Sequence, residues 1–126
     1  MAYLLDRLSS ELNWPVLDTT TLDAFIDGAG ERVLFVTGDP LKNPETMDVA
    51  VILPELVMAF QNRFAPGVVA QGVERAVRDR FEIWPTPSLI FLRDGAFLGA
   101  IPKVRDWDTF LARTAHILGL APMGAA

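Results

Sequence analysis

The stretch Phe81–Leu89, with the sequence FEIWPTPSL, gives the most specific fold signal in the chain because it leads directly into two apolar segments. Those segments, 88–92 and 96–101, are rich in branched and aromatic side chains and are separated by an Asp-Gly pair at positions 94 and 95. An Asp-Gly pair between two such segments predicts a β-hairpin with a tight turn. The prolines at positions 85 and 87 delimit the loop that enters this hairpin.

Upstream of the hairpin, predicted helices and strands alternate. The segment Arg32–Thr37 has a continuous apolar centre, which is typical of a central strand buried on both faces. The longest helix starts with Asn43 as its N-cap and carries Pro54 in its interior, where a kink is expected. The sequence predicts helices over 4–12, 22–26, 43–60, 73–81 and 106–118, and strands over 14–17, 32–37, 67–71, 88–92 and 96–101.

This order of elements predicts an α/β protein, a three-layer α/β/α sandwich around a mixed central sheet. The early strands pair in parallel and the C-terminal β-hairpin adds antiparallel strands. The chain has 126 residues, 51% of them hydrophobic, which is enough for one domain and too short for two ordinary ones. We expect a single domain over 1–118 and a disordered tail of small residues over 119–126.

The residue counts exclude several kinds of chemistry. The chain has no cysteine, so disulfides, thiolate metal sites and thiol redox chemistry are excluded. Its single histidine, His116, cannot supply a multi-histidine metal site, and no Asp-rich calcium loop is present. We therefore expect no cofactor and no metal. The net charge of −5 opposes binding to nucleic acid.

The negative charge is concentrated in the first half of the chain. Residues 1–63 hold four basic and ten acidic side chains, a net charge of −6, whereas residues 64–126 have a net charge of +1. This asymmetry favours a cationic partner if the acidic side chains cluster, or else it is a solvated surface that aids solubility. No export signal and no apolar run of about 20 residues is present, so we expect a cytoplasmic protein without membrane insertion.

The predicted fold resembles that of thioredoxins. Pro87 matches their cis-proline, although Pro85 and Pro87 could instead both be trans and only delimit a loop. Counting back from Pro54 as the kink proline places Thr46 and Val49 where thioredoxins carry Cys-x-x-Cys, and the buried aspartate of thioredoxins falls near Phe35. Dithiol catalysis therefore lacks its nucleophile and its acid/base group, and we expect no enzymatic activity.

A closer resemblance is to the thioredoxin-like hydrogenase expression/formation proteins, the HupG/HyaE family. It is carried by the segment Asp39–Asp48, DPLKNPETMD, which runs into Val51–Leu56, and by the turn Arg80–Pro87. This family also lacks the cysteine pair. The resemblance implies a maturation chaperone that binds the [NiFe]-hydrogenase small-subunit precursor, through its twin-arginine signal peptide. The alternative is a structural adaptor in a maturation complex, which contacts folded partners and does not recognise the signal peptide.

The predicted peptide-binding residues combine carboxylates with the proline-rich turn. A twin-arginine signal is cationic and then apolar, so its receptor should pair carboxylates with an apolar groove. Thr86 is expected to turn its backbone outward for strand-like pairing, while Trp84 offers a flat surface or belongs to the core. Each acidic residue also has a structural interpretation as a helix-dipole partner or turn former. The predicted set is Asp39, Glu45, Asp48, Trp84, Thr86 and Pro87.

Overall fold

The computed structural model describes residues 3–120 and contains a five-stranded mixed sheet. The strand order is β1-β3-β2-β4-β5, in which β1, β3 and β2 run parallel and β4 and β5 are antiparallel to their neighbours. The predicted mixed sheet and C-terminal hairpin are confirmed. The elements are α1 (Tyr3–Ser10), β1 (Val16–Leu17), α2 (Leu22–Asp27), β2 (Glu31–Val36), α3 (Glu45–Ala59), β3 (Phe64–Val69), α4 (Gln71–Phe81), β4 (Ser88–Arg93), β5 (Ala96–Pro102) and α5 (Trp107–Leu118).

Two apolar cores, one on each face of the sheet, produce the three predicted layers. Successive side chains of a strand point to opposite faces, so Val33 and Phe35 of β2 join one core and Leu34 joins the other. Helices α1, α3 and α5 cover the first face, and α2 and α4 cover the second. The continuous apolar segment in β2 therefore reflects burial on both faces, as predicted.

Strand β3 begins at Phe64, three residues before the predicted start at Gly67. Proline has no N–H to donate to a ladder, so Pro66 requires a place where no strand lies on its nitrogen side. In the structure β1 pairs only with Val68 and Val69. Strand β3 is thus an edge strand at Pro66, and the missing N–H is tolerated there.

Charged side chains join the amino ends of β2 and β3 to the end of β4. Glu31 has a side chain that is only 9% exposed and accepts hydrogen bonds from Arg63, 2.5 Å away, and from Arg93, also 2.5 Å away. These hydrogen bonds, that from Arg63 first, hold the pKa of Glu31 below its usual range even though burial opposes the effect.

The C-terminal end of α5 differs from the sequence prediction. Gly119 and Leu120, assigned to a disordered tail, close α5 instead, with N–H groups that donate to the carbonyls of His116 (3.1 Å) and Ala115 (2.8 Å). Gly119 takes the left-handed conformation that ends many helices. The rest of the predicted tail, 121–126, lies outside the described residues. None of the helices within residues 3–120 is long and apolar enough to cross a membrane.

Candidate functional site

The two positions that the sequence analysis matched to the thioredoxin cysteine pair, Thr46 and Val49, have buried side chains. Thr46 is 0% exposed, and its hydroxyl donates a 2.5 Å hydrogen bond to the carbonyl of Thr37 at the end of β2. Val49, one turn further along α3, packs in the core with Phe35 and Leu53. Neither position presents a nucleophile to solvent, so the start of α3 has a structural role.

The loop between β2 and α3 packs directly on the proline-rich turn. Gly38 has a φ of +73°, and a Cβ at this position would lie 2.6 Å from the Thr86 hydroxyl and 2.7 Å from the Asn43 amide nitrogen. That amide donates to Thr86 Oγ1 at 3.3 Å. The prediction that Asn43 caps α3 is therefore wrong, since Pro44 occupies the N-cap position and the Asn43 side chain reaches across to Thr86.

The Thr86–Pro87 peptide bond is cis, as the resemblance to thioredoxins predicted, and Pro87 is buried. The carbonyl of Thr86, which we expected to face outward, accepts a 3.1 Å hydrogen bond from the ammonium group of Lys103. Within residues 3–120 the N–H of Thr86 donates no hydrogen bond to a protein group. Half of the predicted backbone pairing surface is thus engaged by a side chain that sequence reasoning did not single out.

Lys103 also engages Glu45, one of the predicted site carboxylates. Glu45 Oε1 lies 3.8 Å from the Lys103 ammonium nitrogen and accepts a hydrogen bond of 3.3 Å from the backbone N–H of Val104. The structure therefore brings Glu45 and Thr86 together around one lysine. In this arrangement Glu45 ties α3 to the segment that follows β5.

Trp84 lies on the surface, 51% exposed, and so the interpretation of this residue as part of the core is wrong. It borders a cavity of about 300 Å³ together with Arg75 and Arg78. The Arg78 guanidinium donates to the carbonyl of Trp84. The flat surface of Trp84 is consequently next to two cations of α4 rather than next to the predicted carboxylates.

The other two predicted carboxylates are accessible. Asp48 is exposed on the first turn of α3. Asp39 is half-buried, and its Oδ1 accepts a 2.9 Å hydrogen bond from the N–H of Leu41, which is the turn-forming role weighed above. Asp39 also borders a large apolar groove that the sequence did not reveal.

This groove, which we call the strand-end groove, has a volume of about 530 Å³ and lies at the carboxyl ends of β1, β2 and β3. Helix α1 forms one wall and the loop after β2 forms the other. Open α/β sheets commonly bind ligands beyond the carboxyl ends of their strands. The lining residues are Leu5, Asp6, Ser9, Val16, Thr37, Asp39, Pro40, Leu41, Val68, Val69, Ala70 and Gln71.

A buried glutamate of α4 holds the loop after β2, which forms one wall of the groove. Glu74 is 9% exposed, and its Oε2 accepts a 3.0 Å hydrogen bond from the N–H of Gly38. Burial raises the pKa of Glu74, and the negative charge of Asp39 adds to that effect, while the Gly38 N–H and the Arg78 charge oppose it. The amide of Gln71 donates to the Gly38 carbonyl at 2.5 Å. Both backbone groups of Gly38 are therefore bound by side chains of α4.

Residues 3–120 contain neither a metal-ligand cluster nor a nucleophile hydrogen-bonded to His116. Among residues 3–120 no group of three or more His, Cys, Asp or Glu side chains is placed to hold a metal ion. His116 is exposed on α5, where it borders a depression with Ala112, Arg113 and Ile117 of the same helix. The Thr46 hydroxyl is buried and donates to the carbonyl of Thr37, so within residues 3–120 it forms no hydrogen-bonded nucleophile–base pair with His116 of the kind that hydrolases use.

Comparison with known proteins gives a consistent set of relatives. The model of the family "Hydrogenase-1 expression protein HyaE" matches residues 4–110. The hydrogenase expression/formation protein HupG of Rhodobacter capsulatus is 49% identical over 116 residues, which cover 91% of this chain and 84% of that protein. The hydrogenase expression/formation protein HoxO of Cupriavidus necator is 38% identical over 119 residues, 93% of this chain and 74% of that one.

Solved structures include a relative with a similar name and several proteins with a similar fold. A structure from Rhodopseudomonas palustris, assigned as hydrogenase expression/formation protein HupG, is 39% identical and superposes with a TM-score of 0.59, covering 83% of this chain and 95% of that one. Oxidised thioredoxin from Plasmodium falciparum superposes with a TM-score of 0.63 at 10% identity, covering 84% of this chain and 96% of that one. The thioredoxin match shows the fold alone and confirms the predicted thioredoxin-like class.

Proposed function

The chain belongs to the HyaE family of hydrogenase expression proteins, and from that premise we propose that it is a non-catalytic, cytoplasmic chaperone of [NiFe]-hydrogenase maturation. Its partner is the precursor of the hydrogenase small subunit, and it binds this precursor through the twin-arginine signal peptide. Other hydrogenase maturation proteins are further candidate partners.

The observation that carries this proposal is the state of the former redox site. The fold has the cis-proline turn that thioredoxins use to hold an extended peptide, and the N–H of Thr86 beside it donates to no protein group among residues 3–120. Thr46 and Val49, at the positions matched to the reactive pair, have buried side chains. A surface that retains peptide-binding features without a nucleophile supports a protein that holds its partner without changing it.

The charge distribution supports a cationic peptide as the bound segment. Asp39 and Asp48 lie in the half of the chain that carries a net charge of −6, and both keep accessible carboxylates. Carboxylates that face a twin-arginine segment would gain charge-assisted hydrogen bonds. Glu45 contributes less to this attraction because Lys103 lies 3.8 Å from its carboxylate.

Binding of the purified small-subunit precursor to the immobilised chain tests the proposal. We expect the full precursor to bind and a precursor without its signal peptide to bind poorly. Raising salt from about 0.1 M to 0.5 M should weaken binding several-fold, because exposed charges are screened within about 10 Å or less. The variant Asp48→Lys should weaken binding by about three- to tenfold.

Asp27→Lys provides the matched control. Asp27 is exposed at the end of α2, before β2 starts, and therefore lies at the opposite end of the parallel strands from the loop that carries Asp39. This variant makes the same change of net charge and should leave binding unchanged. Equal binding of the precursor with and without its signal peptide would contradict signal recognition and would favour the adaptor function.

A further inference from the structure

We propose that the strand-end groove is the docking site for an apolar peptide segment bordered by cationic residues. This inference rests on the proposed function and locates the peptide-binding site in the groove, away from Trp84 of the proline-rich turn. The occupant is one segment of a partner chain, with a few apolar side chains in the groove and arginine or lysine at its edge. A volume of about 530 Å³ is within the range of sites that enclose a small ligand or a few side chains.

The walls of the groove expose apolar side chains that a folded protein normally covers. Leu41, in the loop after β2, is 80% exposed, more than any other large apolar side chain among residues 5–120. Val16 of β1 is 49% exposed on the other side. Two exposed apolar side chains that border one concave surface indicate a binding site rather than scattered surface residues.

Charge complementarity selects the kind of peptide. The groove lining includes the carboxylates of Asp6 and Asp39 and no basic side chain. A purely apolar segment would contact the apolar walls of the groove but would not interact with the two carboxylates. A segment with an adjoining cation matches both the apolar walls and the acidic edge.

The alternative surface, around Trp84, has the opposite charge. Arg75 and Arg78 border the same cavity as Trp84, so a cationic peptide would meet two like charges there. Like charges at an interface oppose binding and disfavour that partner. The strand-end groove is therefore the better site for a cationic, apolar segment.

The groove is also preformed. Its floor is made by Val68 and Val69 of β3, which are buried in the two cores. The loop that carries Leu41 is held at Gly38 by the side chains of Glu74 and Gln71. A wall that is already ordered loses little conformational freedom when the peptide binds, which favours affinity.

Fluorescence anisotropy with two labelled peptides tests the inference. The first peptide is the twin-arginine signal peptide of the small subunit, and the second is a model peptide with two arginines followed by leucine and alanine. We expect Leu41→Ser and Val16→Ser each to weaken binding of both peptides by about ten- to a hundredfold. Asp39→Asn, which keeps the oxygen that accepts from the Leu41 N–H, should weaken binding about threefold at low salt and have no effect at about 0.5 M salt.

Two control variants change the same residue types outside the groove. Met58→Ser removes a side chain that is 66% exposed on α3, and Asp27→Asn removes an exposed charge at the opposite end of the parallel strands. Both should bind the peptides with unchanged affinity. Amide chemical-shift changes on binding of the model peptide should be largest at Leu41, Val69 and Ala70.

The outcomes separate this inference from the proposed function. If the signal peptide binds and the groove variants leave its affinity unchanged, the groove assignment is overturned and the proposed function stands. If only the model peptide binds, and the groove variants weaken it, the groove assignment stands and signal recognition fails. If neither peptide binds, or if shift changes are confined to Trp84–Pro87, the groove assignment is overturned.

Discussion

The hydrogen bond from Thr46 to Thr37 provides a sharp test of the structural role assigned to the start of α3. In Thr46→Val a methyl group takes the place of the hydroxyl at nearly constant volume. The carbonyl of Thr37, a residue that is 3% exposed, then loses the 2.5 Å bond, the one hydrogen bond it accepts within residues 3–120. A buried acceptor left without a partner costs about 1–3 kcal/mol.

This cost is measurable by thermal and urea unfolding. For a chain of this size 1 kcal/mol corresponds to about 4 °C in Tm, so Thr46→Val should lower Tm by about 4–12 °C. Thr46→Ser is the matched control, because it keeps the hydroxyl and loses one buried methyl group, at a cost of about 1 kcal/mol. We expect Thr46→Val to be the less stable of the two variants.

Hydrogen exchange adds a local measurement. The N–H groups of Asn43 and Thr46 donate to Asp39 (2.9 Å) and Asn43 (3.0 Å) within the loop that the Thr46 hydroxyl fastens to β2. Their exchange should become faster in Thr46→Val and stay nearly unchanged in Thr46→Ser. A Thr46→Val variant as stable as wild type, or a Thr46→Ser variant less stable than Thr46→Val, would refute the reasoning.

Three further predictions follow from buried groups. The double variant Thr46→Cys/Val49→Cys should show no activity in an insulin-reduction assay, because both positions are at most 1% exposed; turnover like that of a thioredoxin would contradict this. Glu31→Gln should lower the free energy of unfolding by about 1–2 kcal/mol at pH 7. Hydrogen bonds, that from Arg63 first, lower the pKa of Glu31, so this loss should disappear as the pH falls from the ordinary value of 4.5 through the lowered pKa. A loss of stability that urea titrations show to be independent of pH would contradict this prediction. Because burial raises the pKa of Glu74, its ionised form destabilises the fold as pH rises above 4.5, so Glu74→Gln should raise Tm at pH 7 and flatten the pH profile; a lower Tm at pH 7 would speak against this.

Local patterns in the sequence predicted most of the fold. The alternation of helices and strands, the apolar centre of β2 and the Asp-Gly turn depend on short-range preferences, and all three are present in the structure. The errors occurred where a distant residue decides the outcome. Pro66 is tolerated in β3 because the neighbouring strand is short, and Asn43 leaves the helix cap because Thr86 lies within reach of its amide.

The sequence predicted less of the candidate site, because its contacts join residues that are distant along the chain. Lys103 meets Glu45 and Thr86 across 58 and 17 positions of chain, and no spacing in the sequence signals either contact. The groove behind Leu41 combines α1 with the ends of three strands, and it exists only when the sheet is assembled. In the sequence Glu74 resembles any other acidic residue of an amphipathic helix. Only the folded chain brings the N–H of Gly38 within hydrogen-bond distance of its carboxylate.

The amino-acid composition alone excludes thiol chemistry and shows which half of the chain carries the negative charge. A chain without cysteine cannot carry out dithiol exchange in any conformation, and the −6 charge of residues 1–63 is a property of composition. Whether a carboxylate is paired with a cation of the same chain depends on distance through space, and therefore on the folded structure. The fold places Glu45 beside Lys103 and Asp39 at the edge of an apolar groove, so Glu45 makes a structural contact and Asp39 lies in the proposed binding site.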